Sequence, residues 1–523
     1  MSFLDRNETG FLEQPVHFSP SDSTTVLSVV WFSQLPVSVL AAIGLALLIA
    51  YHYLIAPVLH GHLSHIPGPW LAKITTLQLG WYDLRLVRND QIYEWHKKYG
   101  PIICIGPNEV SVSSLEDTQQ VYSSTTRWEK SDYFDHFMGY GERAVFATKP
   151  YSEHRARRKL IASFYQASNT FSKPEVESRV RERAQAVLGL AACYAWDNIT
   201  QLVFGPGFGT KAIEGEGPEK KFLQDLKSLQ LWGPFGGQFP LLYKVIVTIL
   251  TTLTQQYGFL HAESQVSKWS LERFQKAIKC PTVRTSHSLL GRLQEMSKKE
   301  NEPLRDSYIA AEALDNIGAA EATIAVTATY LVWRLTEHPS WQERIREELQ
   351  ALPKEGDGLP SFTDVNGLPL LEAFLNEVYR LHPASSGKAE RVVPQAGSVL
   401  AGIPVPPKAL VSTCMVAMHR DPDYFPKSDQ FLPERWLEGT EAEAKARSSR
   451  LIPFGYGSRI CLGKPLAIME LKMLVAAIYL RYETKRSASC PPASMKQTST
   501  HDAMPQSLRC VVEFEDLEPT VKA

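Results

Sequence analysis

The chain has no surplus of charge of either sign. Its 55 Lys and Arg against 56 Asp and Glu leave a formal net charge of −1 over 523 residues, which excludes bulk electrostatic attraction to nucleic acid. It has no C-x-x-C pair. Its seven cysteines, Cys104, Cys193, Cys280, Cys414, Cys461, Cys490 and Cys510, are odd in number and widely spaced. That pattern excludes a disulfide framework and a cysteine-rich zinc site, and it fits a reducing compartment in which most of these thiols are small buried hydrophobes. No internal repeat or low-complexity tract occurs, so solenoids and disordered arrays are excluded. Hydrophobic residues make up 44% and charged residues 21%, enough for a core that encloses a sizeable cofactor.

The most local deficit is of charge. No Asp, Glu, Lys or Arg occurs from Ser23 to Ala72. Within that stretch Val37 to Ala56 supplies 20 mostly apolar residues, about one bilayer-spanning helix. Trp31, Tyr51 and Tyr53 stand where interfacial aromatics belong. A basic n-region is missing, which argues against a cleaved signal peptide. The expected organisation is a tail over 1–36, a transmembrane anchor over 37–56, a proline-rich hinge over 57–72, a catalytic body over 73–515 and a short tail over 516–523. Arg6 is the one basic residue before the span, whereas Lys73, Arg85 and Arg88 follow it. The bias places the body in the cytosol and the first tail in the lumen, where Asn7-Glu8-Thr9 forms a glycosylation sequon. A second sequon, at Asn198, then stays unused.

After the span, His65-Ile66-Pro67-Gly68-Pro69-Trp70 reads as a stiff non-helical connector. A helix ends at Tyr99-Gly100-Pro101. Ile102 to Ile105 and Glu109 to Val112 read as strands around Gly106-Pro107-Asn108. From Pro174 to about Gln350 the pattern is helical. One mainly helical body with small sheets follows, an α+β class. The apolar stretch Phe222 to Phe259 reads either as an access channel that dips into a membrane or as a core helix pair.

The sharpest motif is Phe454-Gly455-Tyr456-Gly457-Ser458-Arg459-Ile460-Cys461-Leu462-Gly463, which satisfies F-x-x-G-x-R-x-C-x-G at every specified position. A thiolate is a soft, charge-donating ligand for haem iron. It needs a defined loop with backbone N–H groups aimed at sulfur. Gly457 and Gly463 would let the backbone approach a porphyrin, and Arg459 would pair with a propionate. The helix expected over Pro465 to Leu480 favours negative charge at its N-terminus.

On these residues the chain resembles the cytochrome P450 superfamily, and other positions extend the resemblance. Glu377-Val378-Tyr379-Arg380 matches E-x-x-R, whose i, i+3 spacing puts both side chains on one helix face. Phe431-Leu432-Pro433-Glu434-Arg435-Trp436 matches the family's P-E-R element, which implies a Glu377–Arg380–Arg435 network behind the cysteine loop. His154 and Arg158 resemble the W-x-x-x-R pair with histidine in place of tryptophan, and Arg391 resembles another propionate-binding arginine. The resemblance thus implies haem b bound through Cys461, Arg459, Phe454, Gly455, Gly463, His154, Arg158 and Arg391.

The distal helix departs from the pattern. Ser307 to Glu337 reads as one helix of roughly 45 Å. Where the family has A/G-G-x-D/E-T-T/S, this chain has Gly318-Ala319-Ala320-Glu321-Ala322-Thr323. Glu321 keeps the acid and Thr323 the second hydroxyl, and these two are the expected catalytic residues. Ala322 replaces the threonine credited with steering protons. The resemblance implies a monooxygenase that draws NADPH electrons through a membrane-bound reductase and oxidises an apolar small molecule at the endoplasmic reticulum. Arg155, Arg157, Arg158, Lys159 and Lys464 would face that acidic partner. The phrases around Pro67, Tyr99 and Pro107 look like microsomal members from filamentous fungi, many of which tailor secondary metabolites. Ala322 also admits a haem-thiolate isomerase or dehydratase working without a reductase; a non-catalytic haem-binding protein is the remaining alternative.

Overall fold

The computed structural model describes residues 37–51, 55–56, 59, 61–186, 191–215, 217–238, 240–253, 255–299 and 303–517. Packing divides the chain into two units, Met1–His60 and Gly61–Ala523. In the first, helix α1 (Val37–Ala50) has 14 residues, about 21 Å at 1.5 Å per residue. Among the described residues no helix is long and apolar enough to cross a membrane. Part of the expected Val37–Ala56 span, residues 52–54, lies outside the described residues, as do the tail with Asn7 and residues 518–523.

The second unit begins inside the expected hinge. Leu63 and Ile66 are buried in one cluster with Ile102, Val110 and Val411. The Cys104 N–H donates to the Pro67 carbonyl at 2.7 Å. Gly68 has φ +152°, and a Cβ there would meet the Cys104 carbonyl oxygen at 2.5 Å. The connector is therefore stitched to the body, and its glycine is a steric requirement.

Helix α2 (Arg88–Tyr99) stops at Gly100, φ +103°, followed by Pro101. Strands β1 (Ile102–Gly106) and β2 (Glu109–Val112) form the antiparallel hairpin whose turn the sequence marks. Helix α3 (Leu115–Tyr122) is capped by Ser114, which accepts from the Asp117 N–H. Then come β3 (Glu129–Lys130), α4 (Tyr151–Ala162), α5 (Pro174–Ala186), α6 (Ala191–Phe204), α7 (Glu219–Gln230), α8 (Pro240–Leu253) and α9 (Asp306–Glu337). Pro339 opens α10 (Pro339–Ala351) and Pro369 opens α11 (Pro369–Leu381), both at the first helical turn where the missing N–H is harmless. The last third carries β4 (Arg391–Val392), β5 (Ser398–Leu400), β6 (Ile403–Val405), β7 (Leu410–Thr413), α12 (Lys464–Tyr479), β8 (Tyr482–Arg486) and β9 (Val512–Asp516).

The main sheet runs β1-β2-β7-β4-β3, with β2 parallel to β7 and the other pairs antiparallel. Its last register sets Lys130 opposite Arg391. The core lies between α6 and α9, with α5, α11 and α12 packed around them. Trp196, Tyr194, Tyr330, Phe374 and Tyr479 are among its fully buried side chains. Asn198 sits on α6 at 1% exposure, so its sequon is closed to a glycan in the folded chain. Helix α8 does not behave as a core helix: Leu241, Leu242, Val245, Ile249 and Leu253 are all exposed.

Candidate functional site

Cys461 sits in a loop that closes on itself. Its N–H donates to the Phe454 carbonyl at 2.9 Å, and the Gly455 N–H donates to the Ile452 carbonyl at 2.9 Å. Gly455 and Gly457 have φ of +78° and +72°. At Gly457 a Cβ would fall 2.0 Å from the Tyr122 carbonyl oxygen. The tight approach that demands glycine is thus to the end of α3, a role different from the porphyrin contact expected of it. Gly463 caps α12 with ordinary backbone. Its N–H and that of Lys464 donate to the Cys461 sulfur. Burial pushes the Cys461 thiol pKa up, while these two N–H groups, Arg158 and Lys464 act against that rise. The cysteine is nevertheless solvent-accessible, so the residue lines a cleft rather than the packed core. Phe454 packs edge-on to Tyr379, with ring centroids 5.2 Å apart.

Behind the loop lies a dense hydrogen-bond network. Arg380 donates to both Glu377 oxygens, at 2.9 and 2.7 Å, with both side chains fully buried. Arg380 also donates to the carbonyls of His419, Ser428 and Gln430. Arg435 Nε reaches Glu377 at 3.2 Å, and the Leu432 N–H and Trp436 indole complete the carboxylate's partners. A buried pair of charges is tolerated only when its remaining hydrogen-bonding capacity is filled in this way.

Beside the cleft five basic groups converge. His154 on α4 is buried, and burial together with Arg459, Lys130, Arg158 and Arg391 drives its pKa down to about 2. Arg459 donates to the carbonyls of Thr148 and Lys149 at 2.9 and 2.8 Å, and burial and Arg391 pull its pKa down to about 10. Burial also lowers Arg391 and Arg158. Lys130, which the sequence did not single out, is held well below its ordinary pKa by burial and then by Arg391 and Arg459. Its ammonium donates to the Phe146 carbonyl and lies 4.4 and 4.6 Å from the Phe134 and Phe146 rings. Among the described residues none of the four cations forms an ion pair. Asp315 and Glu129 offset the charge only in part. Such a donor set suits the two carboxylates of a haem; the fit with an N–H-cradled thiol is direct. No sequence motif marks Lys130; only its register opposite Arg391 brings it here.

Helix α9 forms the other wall. Gly318 and Ala319 are exposed in mid-helix, and a Cβ at Gly318 would meet nothing within 4 Å. The Tyr165 hydroxyl donates to Asn316 of α9 at 2.8 Å, and α9 packs against α12, which starts three residues after Cys461. Glu321 is 6% exposed. Burial and nearby Asp502, against Lys227, push its carboxyl up to about 8, so it carries its proton at neutral pH. The Thr323 hydroxyl donates to the Ala319 carbonyl at 2.8 Å. Asp315, also overlooked in the sequence, is pushed to about 8 by burial and Glu312.

The sequence profile of the family described as Cytochrome P450 matches residues 67–508. The chain is 36% identical to the cytochrome P450 monooxygenase FGM1 of Gibberella zeae over 470 residues, covering 86% of this chain and 92% of that protein. It is 30% identical to the cytochrome P450 monooxygenase cicH of Emericella nidulans, covering 80% and 88%. It is also 30% identical to pkfB of the same organism, covering 84% and 89%. An N–H-cradled cysteine under a glycine-bearing distal helix and these matches agree: the chain belongs to the cytochrome P450 family and is a haem-thiolate monooxygenase supplied with NADPH-derived electrons by a reductase.

Proposed function

We propose that the protein inserts one atom of dioxygen into an apolar small molecule of fungal secondary metabolism while anchored in the endoplasmic reticulum membrane. The observation that carries the reading is Cys461, cradled by the N–H groups of Gly463 and Lys464 at the start of α12. Haem, when bound, supplies dioxygen reduction and oxygen insertion.

The chain's own residues divide the remaining work. Cys461 would ligate the iron, and the N–H groups and α12 terminus would hold its negative charge. Arg158, Arg391, Arg459 and Lys130 would hold the propionates, with His154 contributing as a neutral donor. Glu321 holds a proton at the cleft. Thr323 commits its own hydroxyl proton to Ala319 and leaves oxygen lone pairs to accept from a water or substrate hydroxyl. Ala322 leaves this pair to do what a threonine–acid pair does elsewhere. The groove of about 480 Å³ lined by Arg127, Arg155 and Lys159 offers positive charge to an acidic reductase face.

Membrane attachment rests on two features. One is the uncharged run from Val37 to Ala56. The other is the apolar surface of α8, joined by exposed Trp70, Leu77 and Trp81; exposed apolar area on this scale marks an interaction surface. Microsomal protein is expected to stay in the pellet after alkaline carbonate, and release to the supernatant would refute the anchor.

The central test is a carbon-monoxide difference spectrum of the reduced protein beside Cys461→Ser. A red-shifted Soret band of the thiolate type, absent from the variant, is the expected result. A folded, haem-loaded protein without it would sink the assignment of Cys461.

A further inference from the structure

The network behind the cysteine loop includes a histidine that neither motif contains. His419 closes the short helix Met415–His419 and is fully buried. Its Nε2 accepts the Ile452 N–H at 3.0 Å. A ring nitrogen that accepts a peptide N–H carries no proton, so the proton is on Nδ1, which donates to the Arg380 carbonyl at 3.3 Å. The His419 carbonyl in turn accepts from Arg380 Nη1 at 3.1 Å. Arg380 and His419 thus bind each other twice, and the free ring nitrogen takes hold of Ile452. From Ile452 the chain of bonds continues: its carbonyl accepts the Gly455 N–H, and the Phe454 carbonyl accepts the Cys461 N–H.

We infer that His419 is a positioning residue for Cys461: its neutral Nδ1–H tautomer couples the Glu377–Arg380 pair to the thiolate loop through Ile452. This rests on the haem-thiolate reading and deepens it, since among the described residues no other hydrogen bond links Ile452 to that pair. Burial, with Arg380 and Arg420 facing the ring, holds the imidazole pKa down to about 3. The acceptor lone pair is therefore present throughout the neutral range.

The test compares His419→Leu, His419→Gln and His419→Asn with a control, Gln342→Leu. Gln342 is buried and bridges the Leu335 and Thr484 carbonyls, away from the loop. On full-length, haem-loaded protein three things are measured: Tm, hydrogen–deuterium exchange across 450–456, and the rate at which the reduced carbon-monoxide complex loses its thiolate-type band. His419→Leu is expected to lose the band about tenfold faster, with protection of the Ile452 amide gone, as for one lost hydrogen bond in a buried site. His419→Gln, whose side-chain oxygen reaches the same N–H, is expected to restore both. Gln342→Leu is expected to lower Tm and leave the band's lifetime unchanged. If His419→Leu does not fold, Gln against Asn decides, because the shorter asparagine does not reach Ile452. Equal lifetimes for His419→Gln and His419→Asn, or for His419→Leu and Gln342→Leu, would overturn the inference. Absence of the band from the unaltered protein would instead sink the haem-thiolate reading.

Discussion

The two walls of the cleft are built on opposite principles. On the cysteine side, nearly every polar group is spoken for: Glu377 accepts from four partners, Arg380 donates to five oxygens, and Cys461 receives two backbone N–H groups. On the α9 side the surface is small and sparsely bonded. Among the described residues, Gly318 and Ala319 stand open, Glu321 is buried without an ion-pair partner, and Thr323 bonds only to its own helix. Over-determination suits a ligand that must not move. Spare hydrogen-bonding capacity suits a wall that meets different molecules during a reaction. The departure from the family pattern, Ala322, falls on the second wall, where a substitution removes no structural bond.

The contrast breaks most visibly on the tight side. Arg380→Ala leaves Glu377 as a buried charge without its bidentate partner, a change that costs about 3–5 kcal/mol. The expected outcome is protein that fails to retain haem, with a large fall in Tm where any folds. A variant of near-normal Tm and haem content would show that the network is redundant. Next in size is Glu321→Gln on the open side. Loss of a positioned proton donor typically costs on the order of 10²-fold or more. Product formation is expected to fall by about that factor while the thiolate-type band and Tm persist. The sign with pH follows from the raised carboxyl: the donor is protonated below about 8 and lost above it. Product formed per NADPH consumed should therefore decline as pH rises through about 8 in the unaltered enzyme, and Glu321→Gln should show no such step. A step that survives in the variant would assign the proton to another group, Asp315 being the first to examine.

Between these lies the basic cluster, where cofactor affinity and protein stability are expected to move in opposite directions. Lys130→Met removes one cation from a group whose members depress one another. Haem-free protein is expected to gain stability from relieved repulsion. Haem affinity is expected to drop about tenfold, the effect of one charge-assisted bond. Thermal unfolding with and without haem, and haem titration, check the two signs separately; loss of stability in both forms would make Lys130 an ordinary structural residue.

How much of this was legible in the sequence depends on the distance over which each feature is encoded. The cysteine loop, the E-x-x-R pair and the long distal helix are local patterns, and the helices Asp306–Glu337 and Lys464–Tyr479 lie within a residue of the expected bounds. What the pattern conceals is set by pairing between distant segments. Lys130 reaches the cluster only because β3 lies beside β4 in one register, and His419 matters only because Ile452 passes its ring. Gly457 shows a third case: glycine was legible, but its reason, the Tyr122 carbonyl, was not. The apolar segment 222–259 was ambiguous because hydrophobicity alone does not separate a core helix from a surface one. The exposure of Leu241 and Leu253 decides for α8.

The smallest expected effect sharpens the comparison furthest. Thr323→Ala removes the one hydroxyl left beside the acid. Its hydrogen bond to Ala319 is local to α9, and helical Ser and Thr hydroxyls bonded to the i−4 carbonyl add little stability; Tm is expected to change by less than about 1 °C. The chemical consequence depends on whether the open wall uses that hydroxyl as an acceptor. If it does, NADPH oxidation continues while product formation falls a few-fold and peroxide rises to match, because proton delivery is less selective without it. If Thr323→Ala and the unaltered enzyme form product and peroxide in the same ratio, the hydroxyl is spent on the helix. Glu321, working with a water or a substrate hydroxyl, then carries proton delivery by itself, and the loss at position 322 has been absorbed by the acid alone.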